Sequence, residues 1–261
     1  MGAPQKIMPE LPEVEITKRK LEPLIKSKRI LNLGGKKILR IERKGKAILI
    51  YLSGGKILGF HQRMSGKLLI VRRGWKDKHT RRIFHLSGGK DLAFHDVRRF
   101  GVIWYGPVKK VLDDPYFKTL GLDALKISFG EFKRILGERR AGKLKPFFLN
   151  QKNLAGVGNI IADEVLWHAK IHPERNINNL SDADIKKLYV SLKFILKRSI
   201  KLGGSTMRDW FHPDGGHGGY FKKRYTYGRE DEKCFRCKTQ IIRKKIAGHS
   251  SCFCPKCQRE Q

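Results

Sequence analysis

Cys234-Phe-Arg-Cys-Lys-Thr-Gln-Ile-Ile-Arg-Lys-Lys-Ile-Ala-Gly-His-Ser-Ser-Cys-Phe-Cys-Pro-Lys-Cys257 carries two C-x2-C knuckles with 16 residues between them. That spacing is the pattern of a structural zinc site. Each knuckle offers two thiolates to one tetrahedral ion, and the spacer has the length of a β-hairpin. All five cysteines lie in the last 28 residues of the 261-residue chain, unlike the wide spread of a secreted disulfide scaffold. Two redox pairs are the alternative, but neither pair sits in a βαβ context. Cys234, Cys237, Cys254 and Cys257 are therefore expected to hold one zinc ion with no open position, and Cys252 is left over. The intervening run Ile241-Ile-Arg-Lys-Lys-Ile246 is basic enough to lie against phosphates.

Upstream of the finger, helical spacing dominates from about Asp113-Asp-Pro115 to Leu202. The clearest helix starts at Ser181, with Asp184 as an approximate capping box. It carries Ile185, Leu188, Tyr189, Leu192, Ile195, Leu196 and Ile200 on one face and stops at Gly203-Gly204. From Asp209 to Gly219 runs a glycine-rich loop, a flap or a plain connector, ahead of a strand expected around Tyr220 to Tyr227. Nearer the N-terminus, a helix is expected over Leu11 to Lys26. Seven short runs follow: Ile38–Ile41, Ala47–Leu52, Lys56–His61, Lys67–Val71, Arg82–Leu86, Asp91–His95 and Val102–Tyr105. They are rich in branched and aromatic residues and separated by glycine turns, which suggests a sandwich or barrel.

Charge narrows the function. Fifty-seven Lys and Arg against 24 Asp and Glu give +33 and a pI near 10.3. So large a surplus repels itself in a compact fold, and a polyanionic partner, DNA or RNA first, is the economical explanation. A hydrophobic content of 40% argues against wholesale disorder. No apolar run reaches a membrane span, and the N-terminus lacks a signal-peptide pattern, so no membrane partner and a cytoplasmic, nucleoid-associated location are expected.

Three segments together resemble the formamidopyrimidine-DNA glycosylase (Fpg/Nei) family: Pro9-Glu-Leu-Pro-Glu-Val-Glu15, Lys145-Pro-Phe-Phe-Leu-Asn-Gln-Lys-Asn-Leu-Ala-Gly-Val-Gly-Asn159 with Glu164, and the terminal finger. The opening motif favours the formamidopyrimidine branch, and the resemblance runs in order from Pro9 to Gln258. It implies an α+β multidomain protein with an N-terminal β-sandwich and flanking helix, a helix–two-turn–helix domain and a C-terminal four-cysteine zinc finger. The expected boundaries are 1–8 for an extension outside the functional chain, 9–112, 113–228 and 229–261. A monomer is the default expectation, because nothing in the sequence signals oligomerisation. The implied activity is that of a base-excision repair enzyme on damaged double-stranded DNA. It would remove oxidised purines such as 8-oxoguanine and formamidopyrimidines from a flipped-out nucleotide, then cut the strand by β,δ-elimination.

The resemblance also assigns residues. Pro9 is the expected Schiff-base nucleophile, Glu10 the acid/base at the sugar, and Lys46, in Arg43-Lys-Gly-Lys-Ala-Ile-Leu-Ile50, the lysine on a β-hairpin. An α-amine titrates near 7.7–8.0 against about 10.4 for lysine, so a terminal proline offers more free base at neutral pH. A proline acylated by Met8 offers none, so the functional polypeptide is expected to start at Met8, with that residue trimmed. Met64, Arg98 and Phe100 match the residues that fill the hole left by the flipped base, and His61, Lys145 and Asn159 match phosphate contacts. His249 stands where the family usually carries arginine, which implies weaker, more pH-sensitive clamping. The stretch between the first helix and Lys46 is shorter than is typical, which points to a trimmed sandwich. Two other functions fit the same sequence: a zinc-bearing DNA binder that has lost catalysis, and a glycosylase for oxidised pyrimidines or hydantoins.

Overall fold

The computed structural model describes residues 8–138, 142–206 and 210–260. The extension before Met8 and the start of the expected loop at Asp209 lie outside them. The chain forms two compact units, one running to Thr119 with Ile200–Phe221, the other Leu120–Ser199 with Lys222–Gln261. The finger thus belongs to the helical unit, and the glycine-rich loop to the strand unit.

In the first unit, helix α1 (Leu11–Ile25) precedes eight strands: β1 (Arg29–Ile30), β2 (Lys36–Lys44), β3 (Ala47–Leu52), β4 (Lys56–His61), β5 (Gly66–Arg72), β6 (Thr80–His85), β7 (Lys90–Asp96) and β8 (Val102–Pro107). All seven expected strands form, and β1 is added. They make two antiparallel sheets, β1-β2-β3-β4-β8 and β5-β7-β6. Ile48, Ile50 and Leu52 of β3, Phe60 of β4, Leu68 of β5, Phe84 of β6 and Phe94 of β7 share one core with Val14, Leu21 and Ile25 of α1. Residues i and i+2 of a strand face the same side, so β3 turns Ile48, Ile50 and Leu52 into the sandwich while Leu49 lies beside Trp104 across Gly59. Short helices α2 (Val108–Leu112) and α3 (Pro115–Lys118) close the unit.

The second unit holds α4 (Phe129–Glu138), α5 (Leu144–Leu149), α6 (Asn159–Ala169) and α7 (Asp182–Lys201), with a two-residue parallel pair, β9 (Leu122–Asp123) and β10 (Leu154–Ala155). The expected capping box forms on α7: the Asp184 amide donates to Ser181 Oγ, and the Ser181 amide to the Asp184 carboxylate, each at 3.2 Å. The finger is the hairpin β11 (Ile242–Ile246) and β12 (His249–Phe253). No strand forms over Tyr220–Tyr227. Tyr220–Lys223 is a 3-10 turn, and the amides of Tyr225, Thr226 and Tyr227 donate to the Glu164 carboxylate at 2.7–3.0 Å. Those amides are spent on a side chain, so no strand ladder can use them. No helix among the described residues is long and apolar enough to cross a membrane.

Candidate active site and nucleic-acid interface

Pro9 and Glu10 sit buried at the mouth of α1. Glu10 is the N-cap, and the Glu10 amide donates to Glu13 Oε2 at 2.9 Å while the Glu10 side chain accepts from the Glu13 amide. This is a capping box built from two glutamates. The other Glu13 oxygen accepts the Ser205 amide at 2.7 Å, tying the start of α1 to the segment that leads into the glycine-rich loop. Burial first, and the Glu10 carboxylate second, push the Glu13 carboxyl up to about 7.

Lys44 pairs with Ala47, so Gly45 and Lys46 are the two turn residues between β2 and β3, with Gly45 at φ 59°. Glycine at the first turn position meets the positive φ such hairpins need. Arg43 braces the turn, donating to the Gly45 carbonyl and to Glu15 of α1, each at 3.0 Å. Lys46 is buried, and its amide donates to the Tyr116 hydroxyl at 3.0 Å. Burial lowers its ammonium pKa, which the charges of Glu10 and Glu13 partly restore. Lys46, not the exposed Lys44, therefore shares the carboxylate pair.

His61 is buried at the end of β4, edge-on to Tyr116. Its Nδ1 accepts the Arg63 amide at 3.0 Å, which leaves the proton of the neutral ring on Nε2. Burial, then the charges of Arg63 and Lys46, push its pKa down to about 3. The imidazole is therefore a neutral donor throughout the physiological range.

The residues expected to fill the flipped base's place converge. Arg98 reaches Met64 Sδ at 3.1 Å and lies 4.9 Å from the Phe100 ring centroid, and Phe100 is 55% exposed. Their two loops are joined by Asp96, fully buried, which accepts from Ser65 Oγ at 2.5 Å and from the Gly101 amide at 2.7 Å. Sequence reasoning missed Asp96, Glu13 and Tyr116. An aspartate ending the apolar run of β7 was the one available signal.

The glycine-rich loop is well anchored over its described part. Pro213 accepts the Ile70 amide at 2.9 Å, Asp214 pairs with Lys20 at 2.6 Å, and the Phe211 ring takes the Lys67 ammonium at 3.7 Å. At Gly218 a Cβ would stand 2.1 Å from the Gly203 carbonyl oxygen, so only glycine permits the approach.

In the helical unit, Gly156-Val-Gly158 leads into α6 at Asn159. The Asn159 amide nitrogen donates to the Ser250 carbonyl at 2.9 Å, beside exposed His249, while its Oδ1 is buried without a partner. The turn at the N-terminus of α6 and the tip of the finger are thus joined, and helix N-termini favour phosphate. Lys145 departs from its expected place at a phosphate. It is fully buried, its ammonium held by the equally buried Asp163 and, at 3.3 Å, by the Asn159 carbonyl. It braces the turn from below.

Asp163 also accepts from Ser251 Oγ at 2.6 Å and from the Cys252 amide at 2.9 Å, so α6 grips β12 directly. The four knuckle sulfurs lie within 4.8 Å of one another, with Cys237 Sγ 3.4 Å from those of Cys254 and Cys257. Tetrahedral thiolates at about 2.3 Å from zinc stand about 3.8 Å apart, so the cage fits that ion with small adjustment. Cys252 stays outside the cage, its thiol pushed up to about 11 chiefly by burial. Such a thiol is inert rather than a ligand.

Comparison with known proteins agrees with this geometry. Residues 31–103 match the Formamidopyrimidine-DNA glycosylase N-terminal domain and residues 120–210 the Formamidopyrimidine-DNA glycosylase H2TH domain. The formamidopyrimidine-DNA glycosylases of Pelotomaculum thermopropionicum and Heliobacterium modesticaldum are 37% and 35% identical, over 97% of this chain and 99% and 100% of theirs. Among solved structures, the MutM (Fpg) protein of Thermus thermophilus (36% identity, 97% and 100% of the two chains) superposes with a TM-score of 0.87. Lactococcus lactis Fpg in complex with DNA containing an abasic site (35% identity, 96% and 100%) does so at the same score. From the capped Pro9-Glu10 motif to the four-thiolate finger, the chain belongs to the formamidopyrimidine-DNA glycosylase family.

Proposed function

We propose that this DNA glycosylase excises oxidised purines, 8-oxoguanine and formamidopyrimidines, from damaged duplex DNA and then cleaves the abasic strand, acting as a monomer. The observation that carries the reading is the enclosure of Pro9 and Glu10 at the N-cap of α1 beside the Lys46 turn. It gathers a potential amine, an acid/base and a cation in one buried place.

The chemistry requires that the bond between Met8 and Pro9 be cut. The freed nitrogen then attacks C1′, the N-glycosidic bond breaks, and the base leaves with a proton. Loss of the deoxyribose O4′ bond, with Glu10 moving the proton, leaves an iminium between Pro9 and C1′. That cation withdraws electrons from the sugar, so proton loss expels the 3′ phosphate and then, after a second proton loss, the 5′ phosphate. Water releases Pro9. Lys46 and neutral His61 contact phosphates, Asn159 contacts a phosphate, and His249 contacts one beside the lesion. Met64, Arg98 and Phe100 enter the stack, Phe100 as the wedge. Zinc, which we assign to the four thiolates, supplies rigidity to the finger and no reaction step.

Borohydride trapping on an 8-oxoguanine:cytosine duplex tests this, with a chain started at Met8 beside the chain as written. A covalent adduct only with the Met8 start supports Pro9 as nucleophile. An adduct with both points to another amine, Lys46 first, or to trimming of the longer chain, which intact mass separates. Binding with no adduct and no excision on oxidised purine, oxidised pyrimidine or hydantoin lesions would overturn the catalytic reading in favour of a pure binder.

A further inference from the structure

A second strongly basic feature lies in the helical unit, at the end of α6 remote from Asn159. A groove of about 1150 Å³ runs between the C-terminus of α6, the first turns of α7 and the two knuckles. Eleven residues of helix at about 1.5 Å each put the two ends of α6 about 16 Å apart. Seven of the groove's seventeen lining residues are Lys or Arg, against 57 of 261 in the chain, and its one acid is Asp184. That carboxylate is already engaged by Ser181 and Lys187. Seven cations less one anion leave six positive charges. The two surplus negative charges of zinc on four thiolates reduce the six to four. Arg236 is spent locally, donating to the Trp167 and His168 carbonyls that end α6. Lys170, Lys186, Lys256 and Arg259 are exposed and make no ion pair among the described residues.

We infer that this groove binds the phosphodiester backbone of a second DNA duplex segment, separately from the duplex that carries the lesion. The cations come from three elements and so form a track rather than a point, and the volume exceeds the roughly 300–1,000 Å³ of small-ligand pockets. No lining residue is Phe, Tyr or Trp, and the two histidine rings are already taken, His168 stacked on Phe194 and His172 buried edge-on to Phe253, so the contact is to phosphates, indifferent to sequence. A protein holding two segments can be handed from one to the other while it searches. This rests on the reading of the chain as a DNA glycosylase.

The full-length, zinc-loaded protein is saturated with an unlabelled duplex containing a tetrahydrofuran abasic analogue. A fluorescein-labelled, undamaged 12-base-pair duplex is then titrated in and followed by anisotropy. The partner protein for comparison carries Lys170→Gln, Lys186→Gln, Lys256→Gln and Arg259→Gln, with its zinc content and thermal unfolding confirmed. The wild type is expected to take up the labelled duplex at least tenfold more tightly. The slope of log affinity against log salt should fall by about 3 to 4 in the variant, near 0.9 for each lost phosphate contact. Single-turnover excision of 8-oxoguanine should stay within twofold. Equal uptake by the two proteins overturns the inference. So does labelled-duplex uptake that sodium tripolyphosphate abolishes while excess unlabelled undamaged duplex does not, which would mark a free-polyphosphate site. If neither protein excises any lesion while the uptake difference persists, the enzymatic reading fails and the second site stands.

Discussion

Glu13 shows how one side chain couples the amine site to distant chain. Its two oxygens hold the Glu10 and Ser205 amides, and its carboxyl is raised from 4.5 to about 7. The native state therefore binds the proton more tightly than the unfolded chain between those values, and stability from this group is lost as pH rises from 4.5 through 7. His61 has the opposite sign. Depressed from 6.5 to about 3, it contributes stability above pH 6.5 that is lost as pH falls towards 3. Glu13→Gln removes the first slope and leaves the second. Thermal unfolding between pH 4.5 and 7.5 should show the wild type's advantage over Glu13→Gln shrinking as pH rises, on top of a pH-independent loss of about 1 kcal/mol for one weakened hydrogen bond. Parallel profiles would refute the assignment. Pro9 and Glu10, and separately the Lys46 turn, could be picked out in the sequence because each lies in a short contiguous stretch that resembles the family. Glu13 was not, because its decisive partner lies 192 residues away.

At the scale of elements, α6 is an apolar helix with two wholly buried acids, and both face the finger's side of the unit. Asp163 serves Lys145, Ser251 and Cys252, and Glu164 serves Tyr225 to Tyr227. Asp163→Asn would strand a buried ammonium and should cost about 3–5 kcal/mol, read as a fall in the urea midpoint for the helical unit. Adding Lys145→Met should recover most of it, because the unpaired charge is what destabilises. A double variant as unstable as the single one would show that the Ser251 and Cys252 bonds, not the ion pair, carry the cost. Strand and helix bounds were readable from alternation and capping, as β3, β4 and α7 show. Tyr220 to Tyr227 was misread because aromatic spacing reports what a side chain buries, not where the backbone amides go. Lys145 was misread because a lysine beside a glycine turn looks like a phosphate ligand until its buried partner, 18 residues on, is known.

Over the whole molecule, the knuckles are welded to the helices. Trp167 of α6 shares a core with Cys234, Ile241, Cys252 and Cys254 and stacks on Tyr225 at 4.5 Å. Gln258 links the Cys254 amide to the Ile171 carbonyl, each bond 3.0 Å. The cysteine spacing says which residues share an ion and nothing of what they pack on. Removing zinc with a chelator should therefore lower the unfolding temperature of the whole helical unit, and calorimetry should show the sandwich transition unmoved. A loss confined to the finger's own hairpin would contradict that packing. The β2–β3 hairpin carries a different consequence. Its turn is two residues long, and Lys46 is one of them. Adding or deleting a residue there would shift β3 by one position and trade Ile48, Ile50 and Leu52 for their neighbours in the core. The lysine's place and the sandwich's packing are therefore inherited together, and a lineage could relocate this cation only by rebuilding the sheet beneath it.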